Sequence, residues 1–197
     1  MRNAMTVHRE AAEDIFFGQT VIHWARWFVI AAGTAIVLLV ADSTNDLILG
    51  ITPIIGMIAL NFYVHGRRLA EKPANAGMVV ASAVLDVALI TAAVAIGVGT
   101  GTQGLASQFY VAYVPVILAF AFVMPTSATV VFTLATVGAY ALVCILGSSE
   151  AAGPFESSMN VESMVTRMVV MAATGGIGSY FWRLQRNRRR ELATAGT

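Results

Sequence analysis

Long apolar stretches separated by short polar ones run through most of the chain. Six of them, at about 21–41, 46–66, 77–98, 106–124, 127–147 and 162–182, approach the ~20 residues a helix needs to cross a hydrocarbon core. In lipid only a helix or a closed barrel pairs every backbone amide, and runs of this length are helical. The pattern predicts an all-α integral membrane protein, a six-transmembrane-helix bundle over 21–182. A polar segment, 1–20, precedes the bundle and a basic helical tail, 183–197, follows it. Because Glu10, Glu13 and Asp14 precede the first stretch, and that stretch is too long for a leader, it is expected to stay as an anchor.

Composition agrees. Of 197 residues 57% are apolar and 12% charged, and mean hydropathy is +0.74, whereas soluble domains carry about 25% charged residues. With a formal net charge of +1, no global basic field exists to hold nucleic acid, which is not an expected partner. A lone cysteine, Cys144, closes no intrachain disulfide and builds no thiolate cluster.

Charge also orients the spans, because Lys and Arg are retained on the cytoplasmic side. Arg67, Arg68 and Lys72 lie between spans two and three, and Arg183, Arg186, Arg188, Arg189 and Arg190 follow span six. The other connections are DSTND (42–46), GVGTGTQG (97–104) and 148–162, the last with Glu150, Glu156 and Glu162 and no base. The basic segments belong inside and these three outside, which puts both termini in the cytoplasm. A short turn at Pro125-Thr126-Ser127 joins spans four and five. Each connection is too short for a folded extramembrane domain, so whatever is bound or sensed is met in or near the bilayer.

Inside the spans a few residues carry chemistry. Asp86 falls midway along span three, where an ionised carboxylate is costly and turns toward the bundle interior. Ser82 lies one turn away on the same face. The pair reads as a ligand or proton site, or as a polar clamp between helices. Arg26 and Arg167 enter spans one and six by about a turn and a half, either snorkelling to the headgroups or binding Asp86 or an anion. Pro53 and Pro115 each remove a helical hydrogen bond and are expected to free the carbonyls of Leu49 and Val111. A cavity beside Pro115 would be lined by Gln108, Tyr110, Tyr113 and Asp86. His23 and His65, near the cytoplasmic ends of spans one and two, are a spacing that a b-type haem accepts, though interfacial histidines are ordinary and no cofactor is expected. Small residues recur four apart at Ala31/Ala35, Ala172/Gly176 and Gly175/Ser179, allowing close helix packing. The Gly175-Gly176 face suits either a homodimer through helix six or a neighbouring helix of the same chain. Nucleotide-binding, zinc-protease and serine-hydrolase motifs are absent, so the sequence does not read as an enzyme.

Together, Ala25-Arg26-Trp27 opening span one, Leu85-Asp86-Val87-Ala88-Leu89 in span three and the glycine-rich outer connection form a pattern. So do the aromatic entry Phe109-Tyr110-Val111-Ala112-Tyr113-Val114-Pro115, the Met124-Pro125 turn and the basic exit from span six. Over about residues 15–192 this resembles the six-helix N-terminal membrane region of bacterial sensor histidine kinases, also found ahead of some nucleotide and diguanylate cyclases. The resemblance implies a bacterial cytoplasmic-membrane location and a signal-input role, with helix six passing a bundle rearrangement to a cytoplasmic signalling partner. In such kinases helix six feeds a dimerisation domain and an ATP-binding domain, and this sequence contains neither. The resemblance therefore implies a free-standing sensory or adaptor module, or a piece of a longer protein, without kinase activity of its own. The reading from a different class is an accessory subunit of a larger electron-transfer or light-harvesting complex. A small transporter is the third, on thin support from one Asp and two prolines.

Overall fold

The computed structural model describes the backbone of residues 2–70, 75–99, 103–147 and 158–195, with side chains within 19–67, 69–70, 75–99, 103–147, 161–185 and 187–188. Six α-helices overlie the six apolar stretches: α1 (Arg2–Val40), α2 (Thr44–Leu69), α3 (Ala76–Ile96), α4 (Tyr113–Val123), α5 (Thr126–Gly147) and α6 (Ser158–Ala195). Two 3-10 segments, Gly104–Ala106 and Gln108–Ala112, lead into α4, and no strand occurs among the described residues. Four of the helices contain spans long and apolar enough to cross a membrane, at Gln19–Val40, Thr44–Arg67, Ala76–Ile96 and Thr126–Gly147. Helix α4 together with the 3-10 segment before it, Gln108–Val123, is apolar but shorter. Arg167 and the glycines at 175, 176 and 178 dilute the sixth. Lys72, the side chains of His8, Arg68, Arg186, Arg189 and Arg190, and the acidic connection with Glu150 and Glu156 lie outside the described residues, as do positions 100–102 of the glycine-rich connection.

Local chemistry sets the helix ends. Ser43 accepts from the Asp46 amide (3.2 Å) while its own hydroxyl donates to the Asp46 carboxylate (2.7 Å), closing a box at the start of α2. Asn75 caps α3 by accepting from the Met78 amide at 2.8 Å. Gly97, at φ 68°, ends α3 with its amide on the Ala93 carbonyl, a left-handed conformation that favours glycine. Met124, with extended dihedrals, and Pro125 turn the chain between α4 and α5. One difference from the sequence reading is the start of α1. Apolarity begins near residue 21, but the helix begins at Arg2, because helical backbone does not depend on hydropathy.

The bundle is apolar outside and partly polar within. Phe28, Leu39, Val131 and Tyr180 face outward, Leu39 at 85% exposure. Gln19, Arg26, Asn61, Ser82, Asp86, Thr129, Thr133 and Thr136 are buried. Such a surface suits lipid, which solvates apolar side chains as well as a core does. The interior is filled by Val37, Val94, Tyr113, Ile117, Tyr140, Cys144 and Met171. Helix α6 packs along both α4 and α5. A Cβ at Gly175 would collide with Thr133 Oγ1, and one at Gly178 would crowd Ala121. Both glycines are therefore used for contact inside the chain, whereas Gly176 faces open space. The Gly175-Gly176 pair is thus not one face. Near the far end of α6, Arg183 Nε donates to Thr126 Oγ1 at 3.2 Å, so the basic exit and the α4–α5 turn share one end of the bundle.

Candidate functional site, a buried ion pair

Arg26 on α1 and Asp86 on α3 meet inside the bundle. Arg26 Nε donates to both carboxylate oxygens, at 2.9 Å to Oδ1 and 2.8 Å to Oδ2, with the residues 1% and 2% exposed. Of the two sequence readings for Arg26, snorkelling or a bond to Asp86, the geometry is the bond. Periodicity explains why these side chains point inward. Ile22, Arg26, Val29 and Val37 form the buried stripe of α1, and Val79, Ser82, Ala83, Asp86, Ile90 and Ala93 that of α3. Ser82 shares the face of Asp86 as expected, but its hydroxyl donates to its own helix, to the Val79 carbonyl at 2.9 Å. Around the pair, Ile22 and Ala25 of α1, Ala83 of α3 and Val116, Ala119 and Phe120 of α4 enclose a small cavity. Two guanidinium nitrogens, Nη1 and Nη2, have no hydrogen-bond partner among the described residues.

The aromatic group expected beside Asp86 sits elsewhere. Tyr113, fully buried, hydrogen-bonds with Thr91 Oγ1 at 2.8 Å and packs edge-on against Tyr140. Thr91 donates in turn to the Val87 carbonyl, so Tyr113 is the donor between them. Tyr110 lies under the Arg167 guanidinium, 3.9 Å from its ring centroid. Gln108 is exposed. Asp86, Tyr110, Tyr113 and Gln108 therefore do not line one cavity. The reason is Pro115, which does not kink a long helix as its position in the sequence suggests. It is the third residue of α4, in the first turn, where its missing N–H has no helical acceptor to lose. The Val111 carbonyl is not free either, since the Tyr113 amide bonds it. A cavity does lie at Pro53, between α1, α2 and α3, with a volume of about 20 Å³ and a lining that includes Val29, Gly33, Met57, Leu89, Ile90 and Phe109.

Two further clusters were only partly visible in the sequence. Arg167 does not reach Asp86. Its Nη1 donates to the Leu105 carbonyl at 2.6 Å and to Tyr140 Oη at 3.2 Å, fastening the irregular 103–112 segment to α5 and α6. His23 Nδ1 pairs with Asn61 Oδ1 at 2.9 Å, and Trp27 Nε1 donates to His23 Nε2 at 3.2 Å, so both ring nitrogens are engaged. The His65 ring stacks on the His23 ring with centroids 4.8 Å apart. Axial haem ligands instead stand on opposite sides of a macrocycle with a nitrogen free for iron. The i, i+4 spacing of His23 and Trp27 is the signal for their bond. On α5 the buried series Thr129, Thr133, Thr136, Tyr140 and Cys144 is another legible stripe that sequence reasoning passed over.

No protein-family profile matches the chain, and no curated protein or solved structure is significantly similar to it.

Proposed function

We propose that the chain is a membrane-embedded signal-input module of a bacterial cytoplasmic membrane. In this reading it crosses six times with both termini inside, and α6 carries a rearrangement of the bundle to a cytoplasmic output. One observation carries the reading: α6 is a single 38-residue helix. Part of it is locked against α4 and α5 through Gly175 and Gly178. The rest continues past Arg183 at the end shared with the α4–α5 turn. A helix held in a bundle and rigid beyond it transmits rotation or translation without loss. The Arg26–Asp86 pair supplies an element with two arrangements, paired or parted, to which a stimulus in the bilayer can couple.

The test is a fusion of α6, in register, to a reporter kinase, examined across changes of quinone pool, lipid composition and membrane tension. Asp86→Asn should shift the reporter's output in at least one condition, and an output identical to the parent in all of them would sink the reading. Reporter enzymes placed after α6 and in the 97–104 connection test the topology, with cytoplasmic activity expected only at the first.

A second reading, an accessory subunit of a larger membrane complex, draws on the outward strip of Ala172, Ala173 and Gly176 on α6. Backbones approach closely over such strips, so the strip also suits a second copy of the chain. Stoichiometric co-purification with larger integral proteins in mild detergent would favour the subunit, and a monodisperse pair of chains would exclude it.

A further inference from the structure

Arginine has five N–H groups, and those of Arg26 are carried into a site 1% exposed. The single N–H on Nε is taken by Asp86. The four on Nη1 and Nη2 meet no acceptor among the described residues. Donors buried in that condition pay their full desolvation, and a stable native state supplies them with oxygen from some source. Arg26 and Asp86 both line the cavity between α1, α3 and α4, whose walls include Ala83, Ala119 and Phe120. The cavity volume is about 10 Å³, close to the least that holds one water molecule. A second space of the same size lies one turn along, between Gln19, Met78 and Ser82, with Ile22 as the shared wall.

Charge selects the class of ligand. Arg26 and Asp86 neutralise each other, so an anion added here would leave net negative charge in a low-dielectric interior. A cation would face the donors of a guanidinium. A neutral oxygen with two lone pairs meets Nη1 and Nη2 without disturbing the balance. We infer that the Nη1/Nη2 end of Arg26, between Ala83 and Ala119, is a binding site for one neutral oxygen acceptor atom. Water and the carbonyl oxygen of a lipophilic ligand such as a quinone share this chemistry. The space holds the acceptor atom, and a quinone would present only its carbonyl tip. The site follows from packing and donor accounting alone, so its test leaves the signalling reading untouched.

The experiment compares one cavity-filling change in two backgrounds, using the full chain in lipid nanodiscs and thermal unfolding as the readout. In the wild-type background Ala119→Val occupies the acceptor's place and strands the Nη groups, so the melting temperature falls. In the Arg26→Met/Asp86→Leu background no donor needs an acceptor, and Ala119→Val leaves the melting temperature unchanged or raises it. An equal fall in both backgrounds means that the extra methyl groups merely overcrowd the bundle, and the inference is overturned. Should the double variant not fold, a density map resolving ordered waters decides the matter. An oxygen within hydrogen-bond distance of both Nη atoms is expected, and an empty cavity with the guanidinium turned onto protein carbonyls overturns the site. The same map, together with added short-tailed benzoquinone, separates the sources. An isolated peak with no thermal shift means water. Density running on into a ring, with a rise in melting temperature that Ala119→Val abolishes, means a lipophilic carbonyl.

Discussion

Replacing Asp86 with Leu removes the partner of a guanidinium that is 1% exposed and leaves the charge where it was. Breaking a buried pair in this way costs about 3–5 kcal/mol, because the surviving charge keeps its desolvation penalty and loses its compensation. Snorkelling offers limited relief. Arg26 lies seven residues beyond Gln19, where the apolar span of α1 begins, or about 10 Å along the axis at a rise of about 1.5 Å per residue. The lower figure, about 3 kcal/mol, allows for a guanidinium that climbs partway. At about 1.4 kcal/mol per tenfold, the folded-to-unfolded ratio drops by roughly a hundredfold to several thousandfold. Reversible unfolding in mixed micelles by titration with a denaturing detergent measures this directly. Substituting both residues, Arg26→Met with Asp86→Leu, should recover most of the loss, since apolar side chains of similar volume replace a buried pair at little cost. The reasoning is refuted if Asp86→Leu costs under about 1 kcal/mol, or if the double variant is no more stable than the single one.

Four other outcomes follow from the packing. Gly175→Ala should destabilise the bundle by about 1–3 kcal/mol through its collision with Thr133, and Thr133→Ala should relieve part of that. Gly176→Ala, which meets open space, should be neutral or stabilising by about 0.5–1 kcal/mol from helix propensity, and the same unfolding titration compares them. Pro115→Ala should change stability by under about 1 kcal/mol, as befits a first-turn proline, whereas a loss of 3 kcal/mol or so would mean that it shapes the bundle. Arg167→Ala should cost about 2–3 kcal/mol and speed amide exchange across 103–112, because the Leu105 carbonyl and Tyr140 hydroxyl lose a charged donor. Unchanged exchange there would show that the segment is held by other contacts.

The helices were legible because burial in lipid forces a length and a composition that no other local structure satisfies. The Arg26–Asp86 pair was half legible. Two lone opposite charges sit seven and ten residues into spans that the charge pattern predicts to be parallel, which puts them about 4–5 Å apart in depth, within an arginine's reach. What the sequence did not contain is the guanidinium's rotation, which gives Nε to the carboxylate and leaves Nη1 and Nη2 without a partner among the described residues. Pro115 misled because a proline inside an apolar run looks like a kink until the true helix start is known, and the 3-10 turns at 108–112 have no apolar signature of their own. Arg167 and His23 were noticed as charge and ligand, yet their partners, Leu105 and Tyr140 for one and Asn61 for the other, lie 62, 27 and 38 residues away in the chain. No local pattern connects such distances.

The unbroken course of α6 gives the chain a phase as well as a direction. Each residue of an α-helix turns the next by about 100° and advances it by about 1.5 Å, so the azimuth of every position after Tyr180 is set by how Gly175 and Gly178 sit on α5 and α4. Removing one residue beyond Arg183 would leave the bundle as it is and swing everything further along by more than a quarter of a circle. Under the function proposed above, the outgoing segment is a dial whose zero is set by the bundle, and whatever reads it must be cut to the same angle.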